Sequence, residues 1–457
     1  MQSKKIFSRR SFLTNAATIG VGGSLASGLA LNSCSAKNNQ QYTPLRPASD
    51  LYIPYLPDKA VEGKPVKAVL IGCGGRGTGA AFNFLEAGDN VSIVALADVF
   101  QDKIDACRKQ LKEKLNVDIP DDMCFTGFDA YKKACELPVD LVLIASVSGF
   151  HPEQLKCAVD QGKHVFVEKP LAVDPTGYRS CMMALKQAKN KGLNVISGAN
   201  AMYNRAYIES YQKIQEGYIG KILSGNVFYN TGNENFLQRK PEWSDMEYMI
   251  RSHFNWNWCN GDQICNLLIH QINVFVWFSH LKPLKAIGFG SRIRRKAGNV
   301  YDNFTVDFEF EGGVHLSGMV RRIDGCDNFR GITIQGDKGS WNSDDHSIKD
   351  LNGNLVWKYD EDAAKAKYTQ HNAFTLELVD MINQIRKGTA IDIAETTAIS
   401  SLACIMARES AYTGKTYTWE QMITSDLNMM PPNLALTDVD MEKFETVPLP
   451  GIPGKDA

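Results

Sequence analysis

The sequence predicts an α/β protein: a doubly wound parallel sheet in the N-terminal half, then a second α/β domain. Three observations carry this. Val66–Ile71 is an apolar run of strand length that passes into Gly72-Cys73-Gly74-Gly75-Arg76-Gly77 and then into helical spacing at Ala80, Ala81, Phe84 and Leu85. Further apolar runs at residues 91–97, 139–145, 164–167 and 194–197 alternate with helical stretches, which implies parallel strands joined by right-handed crossovers. Residues 304–310 and 314–320 alternate in and out around Glu311-Gly312-Gly313, the pattern of a hairpin in an antiparallel sheet.

Composition sets the outer bounds. With 457 residues, 44% hydrophobic, the chain can bury a large core, and its length predicts two or three domains. Lys+Arg 50 against Asp+Glu 51 lacks the positive excess of a general nucleic-acid binder. The 11 cysteines form no C-x-x-C pair and no Cys/His ligand spacing, so neither a disulfide scaffold nor a metal site is expected.

The first element in order is an address. Ser8-Arg9-Arg10-Ser11-Phe12-Leu13-Thr14 precedes a small-residue apolar run over residues 16–31, and resembles a twin-arginine export signal. That run falls short of the roughly 20 residues needed to span a bilayer. Leu31-Asn32-Ser33-Cys34 resembles a lipobox, in which Cys34 would be acylated. Residues 1–33 are thus expected to be a signal peptide and 34–60 a polar tether, giving a periplasmic or membrane-tethered lipoprotein anchored by lipid alone. Twin-arginine export carries folded proteins, commonly with a cofactor already loaded. Removal of the signal takes Lys4, Lys5, Arg9 and Arg10 and no acid, so the mature chain is more acidic.

The strand, G-x-G-x-x-G and helix form a dinucleotide-binding pattern. Gly72 allows the tight turn, Gly74 lets backbone approach a pyrophosphate, and Gly77 permits close helix packing. Asp98 ends the second strand, where a carboxylate accepts ribose hydroxyls and repels a 2′-phosphate, favouring NAD over NADP. Arg76 is open between a 2′-phosphate and the pyrophosphate. Residues 146–151, Glu168-Lys169-Pro170 and Gly198-Ala199-Asn200 follow later strands, where ligand sites of such sheets lie.

The combination of GCGGRG, Asp98, the SVSGFHPE segment and Glu168-Lys169-Pro170 resembles the glucose-fructose oxidoreductase, inositol dehydrogenase and rhizopine-catabolism family, Gfo/Idh/MocA, over residues 65–425. The resemblance implies a Rossmann domain over 61–198 and an α/β domain over 199–425 with a large open, mostly antiparallel sheet used for oligomer contacts. Residues 426–457 are expected to wrap the surface. It implies cofactor contacts from Gly72, Gly74, Gly75, Arg76, Gly77, Asp98, Ser146, His151, Glu168 and Lys169. Lys169 would lie near the nicotinamide and accept a hydroxyl proton; the bland reading is a surface lysine before a turn proline. His270 would be its partner, or a buried core histidine, and Asn266 and Asn273 stand where the family generally has acids. Tyr203, Arg205, Trp256, Trp258 and Asn266 are candidate substrate contacts, with a surface ion pair for Arg205 and core packing for the tryptophans as the alternatives.

Three functions remain: an NAD-dependent oxidoreductase acting on a carbohydrate hydroxyl with tightly bound cofactor, a redox-neutral glycoside hydrolase working by transient oxidation and elimination, and a silent sugar-binding lipoprotein. The expected partner is a small sugar or glycoside, with a homodimer or homotetramer as the assembly.

Overall fold

The computed structural model describes residues 42–232, 236–391 and 393–451. The expected signal peptide and Cys34 lie outside the described residues. Strands β1 (Val66–Ile71), β2 (Val91–Asp98), β3 (Cys124–Thr126), β4 (Leu141–Ile144), β5 (His164–Val167) and β6 (Val195–Ser197) form one sheet in the order β3-β2-β1-β4-β5-β6. Every pairing in it is parallel. All four residues of β4 are buried, because helices cover both faces of the sheet.

The second sheet has nine strands. Its middle is β7 (Ile222–Thr231), β8 (Pro283–Ser291), β9 (Asn303–Phe310), β10 (Val314–Arg322) and β11 (Phe329–Gly336). Strands β9 and β10 pair antiparallel with Val314 opposite Phe310, the predicted hairpin, whereas β10 and β7 pair parallel. Val314, Leu316 and Val320 point into the core, and His315, Ser317 and Met319 point out. Helix Ile269–Ser279 covers the inner face, with the Phe275 ring 5.0 Å from that of Phe310. Helix Ala373–Lys387 returns to the first sheet, where Thr375 Oγ1 accepts from Asn83 of helix Gly75–Glu86 at 3.0 Å.

Two expectations need correction. The end of the expected tether is docked: Tyr42 stacks on Tyr218 at 4.1 Å, the Tyr52 hydroxyl donates to Asp380 at 2.6 Å, and Leu56 is buried. Its aromatic and aliphatic side chains find apolar partners that its polar average conceals. Trp256 and Trp258 are core residues. They pack with Phe100, Phe150, Met246 and Met249 in a second apolar cluster, against which Met429, Met430 and Leu434 of the C-terminal segment lie.

Candidate active site

The carboxyl ends of β1, β2, β4 and β5 open on a cavity of about 570 Å³. At its floor Gly72 has φ +93°, and a Cβ there would lie 2.4 Å from the Ser146 nitrogen. A Cβ on Gly77 would lie 1.7 Å from the Gly72 oxygen, so helix Gly75–Glu86 packs this closely only because residue 77 has no side chain. Gly74 and Gly75 face open space at the uncapped helix N-terminus. This cradle of free amide groups fits a pyrophosphate.

Asp98 lines the cavity at the end of β2. Its carboxylate accepts from the Cys73 amide at 2.6 Å and the Phe100 amide at 2.9 Å, bracing the glycine loop while keeping lone pairs for a ribose. Burial raises its pKa, and the two amides oppose that rise. Arg76 resolves an alternative left open by the sequence. Its Nε donates to Glu168, its Nη2 lies 3.3 Å from Glu377, and its guanidinium sits 4.4 Å over the Phe374 ring. Two carboxylates and an aromatic face occupy it at the Glu168 end, so it is not held ready for a 2′-phosphate.

Ser146 and His151 both line the cavity. Ser146 donates to Gln154 at 2.6 Å; His151 bridges the Pro170 carbonyl at 2.8 Å and the Ser146 carbonyl at 3.1 Å. Burial lowers its pKa, so the neutral ring braces the two turns after β4 and β5.

Lys169 stands half-buried on the cavity wall, its Nζ donating to the Asn266 carbonyl at 2.6 Å. Burial lowers its pKa to about 8, with Arg76 and Arg322 pushing the same way and Glu168 opposing. Asn266 belongs to a π-helical turn, Ile264–Leu268, that leads into the helix bearing His270. Such a turn shifts the hydrogen-bond ladder by one residue and is frequent at functional sites. His270 lines the cavity with Asn266, its ring 6.0 Å from that of Tyr229. Burial holds its pKa well below the ordinary value, with Lys169 and Arg330 adding to the effect, so the imidazole is neutral near pH 7.

Gly77 packs beneath the loop without lining the cavity, and four of the five candidate substrate contacts also fall outside it. Tyr203 is buried, facing Tyr52 and Asp380. Arg205 donates to the carbonyls of Leu56 (2.8 Å) and Gln370 and lies over Tyr368, fastening the docked segment instead of a substrate. Trp256 donates to Ser252 at 3.0 Å inside the apolar cluster, and Trp258 packs 6.0 Å from Phe150. A tryptophan with its face covered on both sides cannot stack on a sugar.

The structure adds residues that sequence reasoning missed. His253, Phe254, Asn260, Phe374 and Leu434 line the cavity from the second half of the chain. Arg251 also lines it, clasping Asp102 with both Nη atoms at 3.0 and 2.8 Å. The helix Asp245–Arg251 carried no motif; only an arginine directly after the apolar Met249-Ile250 pair could have hinted at it. Among the described residues no group of three His, Cys, Asp or Glu side chains is placed to hold a metal.

Comparison with known proteins agrees with this geometry. Residues 66–198 match the oxidoreductase family with NAD-binding Rossmann fold, and residues 207–342 match the GFO/IDH/MocA C-terminal domain. An inositol 2-dehydrogenase/D-chiro-inositol 3-dehydrogenase of Halalkalibacterium halodurans is 26% identical over 50% of this chain and 57% of its own. A glycosyl hydrolase family 109 protein of Phocaeicola vulgatus is 28% identical over 41% of this chain and 33% of its own. The matches thus span about half or less of those relatives' length. Among solved structures, apo scyllo-inositol dehydrogenase from Lactobacillus casei superposes with TM-score 0.59 at 19% identity, covering 78% of this chain and 99% of that one. The aldose-aldose oxidoreductase from Caulobacter crescentus superposes with TM-score 0.58 at 17% identity, covering 78% and 99%. The cofactor of this fold is NAD, and the glycine cradle and Asp98 fit it. Together the two matched domains take up more than half of the chain, which belongs to the Gfo/Idh/MocA oxidoreductase family.

Proposed function

We propose that this chain is an NAD-dependent oxidoreductase that oxidises a carbohydrate or polyol hydroxyl, with the nucleotide retained between turnovers. The observation that carries it is the placement of the Lys169 amine, half-buried and with a lowered pKa, on the wall of the cavity that the glycine cradle floors. Inositol dehydrogenases among the relatives support a polyol or sugar as substrate. When bound, nicotinamide supplies the hydride acceptor for a carbinol carbon. Lys169 in its neutral form takes the hydroxyl proton at Nζ, and the Asn266 carbonyl fixes that amine in place. Neutral His270 orients the hydroxyl by a hydrogen bond, while Arg76 holds Glu168 behind the lysine. Phe254, Phe374 and Leu434 form the apolar wall that excludes water.

The glycosyl hydrolase family 109 relatives favour a second reading, in which the same hydride and proton transfers are transient and an aglycone leaves by elimination. Export by the twin-arginine signal at Arg9 and Arg10 and acylation at Cys34 belong to the proposal, and both readings suit it, since outside the cytoplasm a retained nucleotide must be reset on the enzyme. Self-association through the outer face of the nine-stranded sheet, where Phe289, Met319 and Phe329 are exposed, is also part of it.

The deciding experiment incubates purified protein with a panel of polyols, sugars and aryl glycosides while nicotinamide reduction and aglycone release are followed together. Reduction without release supports the oxidoreductase, and release without net reduction supports the hydrolase. Neither signal, or no nucleotide freed on acid denaturation, ends the catalytic reading.

A further inference from the structure

Beside the active-site cavity lies a second, much smaller one of about 10 Å³, enough for one water molecule and no more. Its polar lining is Lys169, His270, Asn273 and Thr397, with Ala199 and Ala201 in its apolar wall. Lys169 and His270 line both cavities. We propose that the small cavity binds a single water, held by Asn273, which accepts one N–H of the Lys169 ammonium and makes Asn273 a positioning residue for proton acceptance. The proposal rests on the reading of Lys169 as the base.

Asn273 is 3% exposed and follows His270 by three residues on helix Ile269–Ser279. Its Nδ2 lies 3.2 Å from Thr397 Oγ1 and 3.4 Å from Ser400 Oγ. The Ser400 hydroxyl donates its proton to the Thr396 carbonyl at 2.7 Å, so toward Asn273 it can only accept. That fixes the amide with its nitrogen on the serine side. Oδ1 is thereby turned away from those two hydroxyls, and it has no hydrogen-bond partner among the described residues. A buried amide oxygen is costly to leave without a donor, and a water in the cavity that Asn273 borders supplies one.

A lysine ammonium carries three N–H donors. At Lys169 one goes to the Asn266 carbonyl at 2.6 Å, and a second points back to the substrate oxygen that gave up the proton. The third needs an acceptor. A water in the small cavity accepts it and donates in turn to Asn273 Oδ1 and to the unprotonated ring nitrogen of His270, which is neutral. The substrate O–H bond breaks and an N–H bond forms at Nζ; the water is neither ionised nor consumed. An amide at position 273, where the family resemblance led us to expect an acid, offers an acceptor without a charge, so Lys169 keeps an accessible neutral form. The charged and titratable groups acting on Lys169 are Glu168, Arg76, His151, His270, Cys404 and Arg322, and a change at residue 273 replaces none of them.

The test compares the full chain, loaded with nucleotide, with three variants. Asn273→Leu has no acceptor, Ala201→Val fills the cavity while leaving Asn273 in place, and Asn273→Asp adds a charge. Two titrations are read: the pH–rate profile, and the pH dependence of Lys169 acetylation by acetic anhydride, followed by mass spectrometry. The second reports the amine itself whether or not any sugar turns over. Loss of the water disfavours the ammonium, so Asn273→Leu and Ala201→Val should each lower the Lys169 midpoint by about one pH unit. Asn273→Asp should raise it by a similar amount, because a nearby carboxylate favours the charged form. A crystal structure of the loaded wild-type chain should show one solvent peak within hydrogen-bond distance of Asn273 Oδ1, lost in Ala201→Val. Should Asn273→Leu fail to fold, Ala201→Val and the wild-type crystal structure decide. An empty cavity in the wild type, or a midpoint unmoved in Ala201→Val, overturns the proposal and leaves the oxidoreductase reading standing. A shifted acetylation midpoint without nicotinamide reduction by any sugar upholds the water site while removing that reading.

Discussion

The amine of Lys169 and the main-chain carbonyl of Asn266 meet at 2.6 Å, joining the turn after β5 to the π-helical turn of the second half. The lysine thereby has a fixed position and, with a pKa of about 8, an accessible neutral form. Replacing Lys169 with Ala should lower turnover by about 10²–10⁴-fold, the range for loss of a general base, with little change in nucleotide content. Steady-state rates and the nucleotide released on denaturation check both parts.

The pH dependence follows from the same group. A lysine that accepts a proton is active when neutral, so the rate should rise with pH through a midpoint near 8 and level off above it. His270 is neutral throughout this interval because its pKa lies well below the ordinary value. His270→Asn should therefore reduce kcat/KM by about tenfold while leaving the midpoint of the Lys169 limb above neutrality, which a pH–rate profile of the variant measures.

Asp98→Ser removes both the ribose acceptor and the brace on the Cys73 amide. The ratio of kcat/KM for NAD over NADP should drop by about tenfold or more, equivalent to ~1.4 kcal/mol. Side-by-side kinetics with the two nucleotides determine it.

Gly77→Ala places a methyl group on the Gly72 oxygen, a separation of 1.7 Å that cannot be relieved by side-chain motion. The loop must open, with a cost of at least about 1–3 kcal/mol for overpacking. Loss of bound nucleotide and a lower thermal midpoint are the expected readings.

Trp256→Ala tests the reassignment of that residue to the core. It should destabilise the fold by about 3–5 kcal/mol, seen in thermal unfolding, without altering the order of sugar preference. A sugar-stacking residue would do the reverse.

The first sheet was legible because local patterns determine it. Val66–Ile71 ends on glycines whose spacing reports on helix packing, and Asp98 and Lys169 lie at strand ends where the topology places ligands. The parallel strand β7, at the middle of the second sheet, gave no such signal: its residues mix polar and apolar along both faces, and its partners β10 and β11 lie far along the chain. The tryptophans were misread for a related reason. Composition shows that Trp256 and Trp258 have polar neighbours in sequence, whereas burial depends on Phe100, Phe150 and the C-terminal methionines that fold against them. Arg205 matched an expected basic position, yet its guanidinium is taken by the carbonyls of Leu56 and Gln370, which lie 149 residues before it and 165 after it. Asn266 was found through its i, i+4 relation to His270, although the carbonyl that holds Lys169 could not be read from residue type.

The clasp between Arg251 and Asp102 bears on how long a nucleotide stays. Arg251 walls the cavity from the second half, and its partner sits in the first turn after β2, so a ligand leaving past that wall would have to await the parting of two ion-paired hydrogen bonds. Its residence time would then depend on the frequency of a local opening as well as on affinity. Arg251 keeps the Asp102 carboxyl below its usual range, so the clasp is fully formed above the ordinary carboxylate pKa and is lost as pH falls through the lowered value. High salt, and acid strong enough to protonate Asp102 below the ordinary carboxylate range, should therefore shorten the dwell of a bound nucleotide.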